Sequence, residues 1–308
     1  MAQNKIISPE KTLVDFLSDS RPWQRFIDED GFMDTDIVIA DPFKAGTTWT
    51  QRIIQQILSN GEESNESLSD KSPWIDSSWG DHEGMIRKLQ EQKAKGMRRV
   101  IKSHLPAYTV PISDKPKYIF VGRNGKDLLN SFHNYLFNFN SDTMQTIEKV
   151  YKKNTGENKA LNIPESSSEF FDLMLNSDGY GCCDIFDVTL SWWNLRELPN
   201  VAMVHYSRLL NNFEQEVIRL AEFVGADLTS LDIDKIVAHC DFNYMKQNSE
   251  KLVPFNGKHM TSSGAFFHKG PKRNFKSELS PEQISRFDQI ALEKMGPRCA
   301  AWLESGNE

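Results

Sequence analysis

Three groups of residues in this chain have types and spacings suited to holding anions and moving a proton. Lys44, Gly46, Thr47 and Thr48 crowd the junction between a short apolar run, Ile37-Val38-Ile39-Ala40, and a segment with Trp49, Ile53, Ile54, Ile57 and Leu58 on one face of a 3.6-residue period. A strand, a turn with a glycine and a lysine, and a helix start carrying two hydroxyls make a phosphate site. Free backbone N–H groups and the positive end of the helix dipole face the anion, and Lys44 and the threonines add donors. Lys102 and His104 lie two residues apart in the run Arg99–His104, on one face of a predicted strand. An imidazole with an ordinary pKa near ~6.5 suits a general base, although a lone histidine reads first as a core residue satisfied by a carbonyl. Arg123 ends a further strand and Ser131 follows eight residues later in a helix. A guanidinium and a hydroxyl so placed can grip a phosphate from two sides.

The elements that must position these groups alternate. Strands are predicted at 37–40, 99–104, 118–121 and 201–206, with helices from 47, over 84–95, from 126, over 185–198, 213–224 and 233–239, and from the capping box Ser280-Pro-Glu-Gln283. This order predicts an α/β fold: a mostly parallel central sheet flanked by helices on both faces, with a P-loop-like strand–loop–helix as its phosphate site. Ligands sit beyond the carboxyl ends of such strands, and Lys44, His104, Arg123 and Tyr206 all fall at that edge. The chain reads as one domain over 1–308. Residues 1–35 form an entry segment with a short helix near Thr12–Leu17, and 60–81 and 141–169 are polar substrate-side loops, the latter with a helix near Thr143–Lys152.

A formal charge of −7 over 308 residues argues against a general nucleic-acid binder while allowing a local basic pocket. The four cysteines (Cys182, Cys183, Cys240, Cys299) form no C-x-x-C pair and read as reduced thiols. No run approaches the ~20 apolar residues of a membrane span, and the N-terminus lacks an apolar signal core. The expectation is a cytoplasmic protein that does not engage membranes.

The loop order Pro42-Phe43-Lys44-Ala45-Gly46-Thr47-Thr48-Trp49 does not match the triphosphate motif G-x-x-x-x-G-K-[ST]. It resembles the 5′-phosphosulfate loop of sulfotransferases that use 3′-phosphoadenosine 5′-phosphosulfate. Lys102-Ser-His-Leu-Pro106 is similar to that family's catalytic Lys-Thr-His-Leu-Pro, and Arg123-Asn-Gly-Lys-Asp-Leu-Leu-Asn-Ser131 to its 3′-phosphate segment. The resemblance spans Ile37 to Lys276. It implies sulfuryl transfer from that donor to a hydroxyl or amine without a metal, leaving 3′,5′-adenosine bisphosphate. It implies His104 as general base, Lys44 on the bridging oxygen, Lys102 on the sulfuryl oxygens, and Ala45, Gly46, Thr47 and Thr48 around the 5′-phosphate. Trp49, Tyr206 and Phe242 match the family's adenine-binding aromatics. His268, Lys269 and Gly270 match the last 3′-phosphate segment, with His268 where arginine is usual and Arg273-Asn274-Phe275 replacing Gly-Asp-Trp.

Phe43, Trp74, Trp79, His133, Phe137 and Phe139 suggest an aromatic-lined pocket for a small-molecule acceptor. The family's C-terminal dimerisation signature has no counterpart after Lys276, which leaves the oligomeric state open. Two other readings fit parts of the pattern. One is a non-catalytic protein that binds 3′-phosphoadenosine nucleotides; the other is a P-loop-type kinase, which would need a metal-holding carboxylate and a different loop order.

Overall fold

The computed structural model describes residues 9–177, 180–182, 184–262, 266, 275 and 278–307. Within them four strands make one sheet: β1 (Ile37–Ala40), β2 (Val100–Ser103), β3 (Lys117–Gly122) and β4 (Val201–His205). The spatial order is β2-β1-β3-β4, and every pairing is parallel. Register sets Ala40 beside Ser103 and Phe120, and Gly122 beside His205. The residues that follow each strand therefore emerge together at one edge, as a parallel sheet requires.

Every residue of β1 is fully buried, which is why its sequence is an unbroken apolar run rather than an alternation. On one face of β3, Tyr118 and Phe120 pack 5.7 and 5.9 Å from Trp192 of the helix Ile185–Trp193, and Phe120 lies 6.1 Å from Trp302 of the helix Pro281–Ser305. Val121 points the other way, toward Gly46 at the head of the helix Thr47–Leu58. That helix buries Ile53, Ile54 and Ile57. The capping box at Ser280 forms as expected, with Gln283 returning a side-chain bond to the Ser280 N–H.

Two expectations need correction. No helix forms over 12–17. The Asp15 carboxylate instead accepts the N–H groups of Leu17 and Ser18 at 2.8 and 2.7 Å, a local turn that competes with helix. The first helix is Arg21–Glu29, with Pro22 in its first turn and Trp23 and Phe26 buried. The helix from Ile185 ends at Trp193, five residues early. The helix expected near Thr143–Lys152 forms as Ser141–Thr155, capped by Asn140, burying Ile147 and closing on Gly156.

At the amino edge of the sheet, Arg99 and Asp36 are both wholly buried. Arg99 Nε and Nη2 donate to the Asp36 carboxylate at 2.8 and 2.5 Å, Nη2 to the Gly31 carbonyl at 2.8 Å, and Nη1 pairs with Asp30.

Candidate active site

The loop after β1 is strained and held from several sides. Phe43 (φ 61°) and Lys44 (φ 54°) are consecutive non-glycine residues in the left-handed region, each costing about 1–3 kcal/mol. The Asp41 carboxylate accepts the Ala45 N–H at 3.1 Å and the Thr47 hydroxyl at 2.5 Å. Arg123 Nη1 donates to the Lys44 carbonyl at 3.2 Å. The Phe43 ring is stacked between His104 (4.0 Å) and Phe132 (5.3 Å). At Gly46 (φ 126°) a Cβ would sit 3.1 Å from the Tyr206 ring, so the close approach needs glycine. No side chain caps the helix that begins at Thr47, and its first N–H groups stay available. Of the two hydroxyls expected to face a phosphate, that of Thr47 is committed to Asp41; only that of Thr48 carries no hydrogen bond among the described residues. Ala45 likewise spends its N–H on Asp41.

His104 follows β2 directly. Its Nδ1 faces the Asp41 carbonyl at 3.1 Å and the Asp41 carboxylate. Both are acceptors, so Nδ1 carries the proton and Nε2 keeps its lone pair. Burial lowers the His104 pKa and Asp41 pulls it back up, with Lys102 opposing. Burial would raise the Asp41 carboxyl, but His104, Thr47 and Lys102 together hold it below the usual range. A second buried carboxylate anchors the surroundings. Asp76 accepts from Ser103 Oγ (2.5 Å), Trp74 Nε1 (2.6 Å), Trp23 Nε1 (2.9 Å) and the His104 N–H (3.2 Å). Asp41 read as part of a turn and Asp76 as part of a polar loop, so sequence reasoning missed both.

The lysines are short of counter-charge. Burial, then Lys102 and Arg123, push Lys44 down to about 7. Burial pushes Lys102 to about 8 against the pull of Asp41 and Asp76. Lys44 Nζ stands 4.5 Å from the Tyr135 ring and 3.7 Å from Phe266, and Lys102 Nζ 4.7 Å from Trp74. An incoming anion would restore both charges, so the residues present fit an anionic group-transfer donor.

Farther along the edge, the Arg123 guanidinium lies 4.5 Å over Tyr206. Trp49 meets Tyr206 edge-on at 5.6 Å, stacks on Phe213 at 5.2 Å and donates Nε1–H to the Cys240 carbonyl at 2.9 Å. Trp49 and Phe242 pack on one small cluster with Met245 and Leu252. Ser131 stands on the helix Gly125–Phe137 that starts beyond Arg123. His268, Lys269 and Gly270 lie outside the described residues.

Around His104, Trp74 is edge-on at 4.9 Å, Trp79 lies 5.1 Å from Trp74, and Phe139 6.2 Å from Trp79. His133 and Phe137 are not brought to this lining: His133 Nε2 faces the Pro164 carbonyl at 2.8 Å with its ring on Phe170, and Phe137 is 51% exposed. The neighbouring stripe of the same helix faces inward instead, with Tyr135 4.8 Å from Phe139. Phe255, His259 and Phe266 complete the lining, and none was marked by a local motif. A cavity of about 320 Å³ beside it is lined by Thr48, Gln51, Trp74, Lys102, Leu252 and Phe255, among others.

A parallel sheet bearing a strained loop, an uncapped helix start and a buried histidine has the outline of a P-loop-like anion site. Residues 34–297 match the family model of the sulfotransferase domain. The chain is 29% identical over 286 residues to sulfotransferase 1B1 of Mus musculus, covering 89% of this chain and 86% of that one. It is 27% identical over 269 residues to sulfotransferase 1E1 of Bos taurus, covering 84% and 83%. Its fold matches the crystal structure of mouse sulfotransferase SULT7A1 complexed with PAP, with a TM-score of 0.66, 23% identity and coverage of 97% and 98%. The chain belongs to the sulfotransferase family. Among the described residues, no helix is long and apolar enough to cross a membrane.

Proposed function

We propose that this sulfotransferase moves a sulfuryl group from 3′-phosphoadenosine 5′-phosphosulfate to a hydroxyl, or an amine, of a small and largely apolar acceptor, with His104 as general base. The observation that carries the reading is the protonated Nδ1 of His104 held on Asp41, which leaves Nε2 free beside two lysines lacking counter-charge. The donor supplies an activated sulfuryl group on a nucleotide leaving group. The protein supplies position and charge. Lys44 neutralises charge that builds on the leaving phosphate, Lys102 draws the sulfuryl oxygens, and Thr48 with the free N–H groups of the helix start holds the 5′-phosphate. Arg123, Ser131 and the segment His268-Lys269-Gly270 take the 3′-phosphate, and Trp49, Tyr206 and Phe242 take adenine. The acceptor proton passes to His104 Nε2, and Asp41 stabilises the resulting imidazolium. No step requires a metal. The described cysteines Cys182, Cys240 and Cys299 are free and buried, which supports a reducing, cytoplasmic setting.

The test is transfer of labelled sulfate from the donor to a panel of phenols, alcohols and amines. Wild-type protein transfers, and His104→Gln loses at least about 10²-fold in kcat while binding 3′,5′-adenosine bisphosphate unchanged. Binding without transfer to any acceptor would make the protein a nucleotide binder instead, and near-full activity of His104→Gln would remove the base assignment.

A further inference from the structure

The rings near His104 form a connected lining. His104 touches Trp74 at 4.9 Å, Trp74 lies 6.0 Å from Phe255, and Phe255 5.6 Å from His259. His259 lies 5.5 Å from Tyr135, over whose ring the Lys44 ammonium stands at 4.5 Å. The circuit thus leaves the base and returns to the loop lysine. It is apolar except at two members. His259 is only 4% exposed, and neither of its ring nitrogens has a hydrogen-bond partner among the described residues. Tyr135 is also buried as a residue, its hydroxyl makes no hydrogen bond to any described residue, and burial alone drives its pKa up. A buried polar group left without a partner is costly; the His259 imidazole, with the Tyr135 ring centre 5.5 Å from its own in the same lining, points to a ligand that satisfies both side chains.

We propose that Tyr135 and His259 form a second polar subsite of the acceptor pocket, which binds a neutral hydroxyl on the acceptor remote from the one that receives the sulfuryl group. Burial, then Lys102 and Lys44, push the His259 imidazole down to about 3, so it stays neutral. A neutral imidazole offers one N–H and one lone pair, a phenol likewise donates and accepts, and a hydroxyl complements each. The same positive surroundings disfavour an ammonium group here. A carboxylate would be drawn to Lys44 and Lys102, the cations the donor needs. The inference rests on the reading of this lining as the acceptor pocket, and it narrows the substrate class to bifunctional, ring-sized alcohols or phenols.

The test compares 2-naphthol with the dihydroxynaphthalene isomers by isothermal titration calorimetry on protein saturated with 3′,5′-adenosine bisphosphate. At least one diol should bind about tenfold or more tighter than 2-naphthol. Tyr135→Phe, which deletes a single oxygen, and His259→Phe should each bring that advantage to within about threefold by weakening the diol more than 2-naphthol. A wild-type protein that prefers no diol isomer overturns the subsite. So do variants that weaken 2-naphthol as much as the diol, since the two residues would then only support packing. Because the readout is binding, a failure of sulfate transfer to 2-naphthol in a parallel assay would count against the proposed reaction and not against the subsite.

Discussion

At the amino edge of the sheet Arg99 is buried against Asp36, Asp30 and the Gly31 carbonyl; at the carboxyl edge Lys102 is buried and Lys44 half-buried, with only the carboxylates of Asp41 and Asp76 near them among the described residues. The two edges share one sheet and differ in charge balance. Burial would lower the Arg99 pKa, but hydrogen bonds and charge from Asp36 and Asp30 raise it. Asp76 already serves four donors, so the burial of Lys44 and Lys102 is not offset and their pKa values fall to about 7 and about 8. A structural cation is matched within the chain before any ligand arrives. A binding cation is left short, and the anion it takes makes up the difference.

The largest expected effect comes from unmatching the structural edge. Asp36→Asn leaves Arg99 with Asp30 alone and should destabilise the protein by about 3–5 kcal/mol, the usual cost of breaking a buried pair. Urea unfolding measures it. The matching change at the other edge, Lys102→Met, should leave the unliganded protein as stable or more so while transfer is lost. If Asp36→Asn costs under about 1 kcal/mol, or Lys102→Met costs as much as Asp36→Asn, the contrast between the edges fails.

How far these edges could be read from the sequence depends on whether the signal is local. Residues 37–40 are apolar throughout because β1 is central, and the edge was legible because His104, Arg123 and Tyr206 each directly follow a strand and Lys44 lies in the loop after one. Asp41 was not legible. Asp-Pro is an ordinary turn signal, and its meaning comes from an imidazole 63 residues away. Helical period marks stripes but not which stripe faces a pocket, so His133 and Phe137 were chosen alongside Phe139 while Tyr135, which faces inward beside Phe139, was passed over. Residues 12–17 carry apolar residues at helical spacing, and the Asp15 carboxylate turns them aside.

Asp41 is the point at which the carboxyl edge keeps some matching of its own, and removing it sharpens the comparison. In Asp41→Asn the amide oxygen stays with the Ala45 N–H and the Thr47 hydroxyl and turns its NH2 toward Nδ1, so the carboxylate acceptor is lost and only the Asp41 carbonyl still favours the Nδ1–H tautomer. A kcat loss of about 10²-fold or more should follow. Because Asp41 pulls the His104 pKa upward, its loss should also move the acid limb of the kcat/KM profile to lower pH. A purely structural role would lower stability and leave that limb in place.

The smallest effect is the most specific to the under-matched edge. Anion binding needs Lys44 protonated, and its free-protein pKa of about 7 means the proton is leaving above neutrality. Affinity for 3′,5′-adenosine bisphosphate should therefore weaken as pH rises above about 7, by at most about tenfold per pH unit for one proton. Calorimetry at pH 8 in two buffers of different ionisation heat should show proton uptake on binding. Lys44→Arg, whose charge does not titrate in this range, should flatten the profile and reduce the uptake. The sign is the opposite for stability: a lysine with a depressed folded pKa weighs against the unliganded fold in full below that pKa. Its penalty is relieved as pH rises toward the unfolded value, and bound nucleotide should remove this dependence. Arg99, matched within the chain, adds no slope in that window. A pH-independent affinity in the wild type would mean that the chain already supplies the missing counter-charge at Lys44, and the two edges would then be alike.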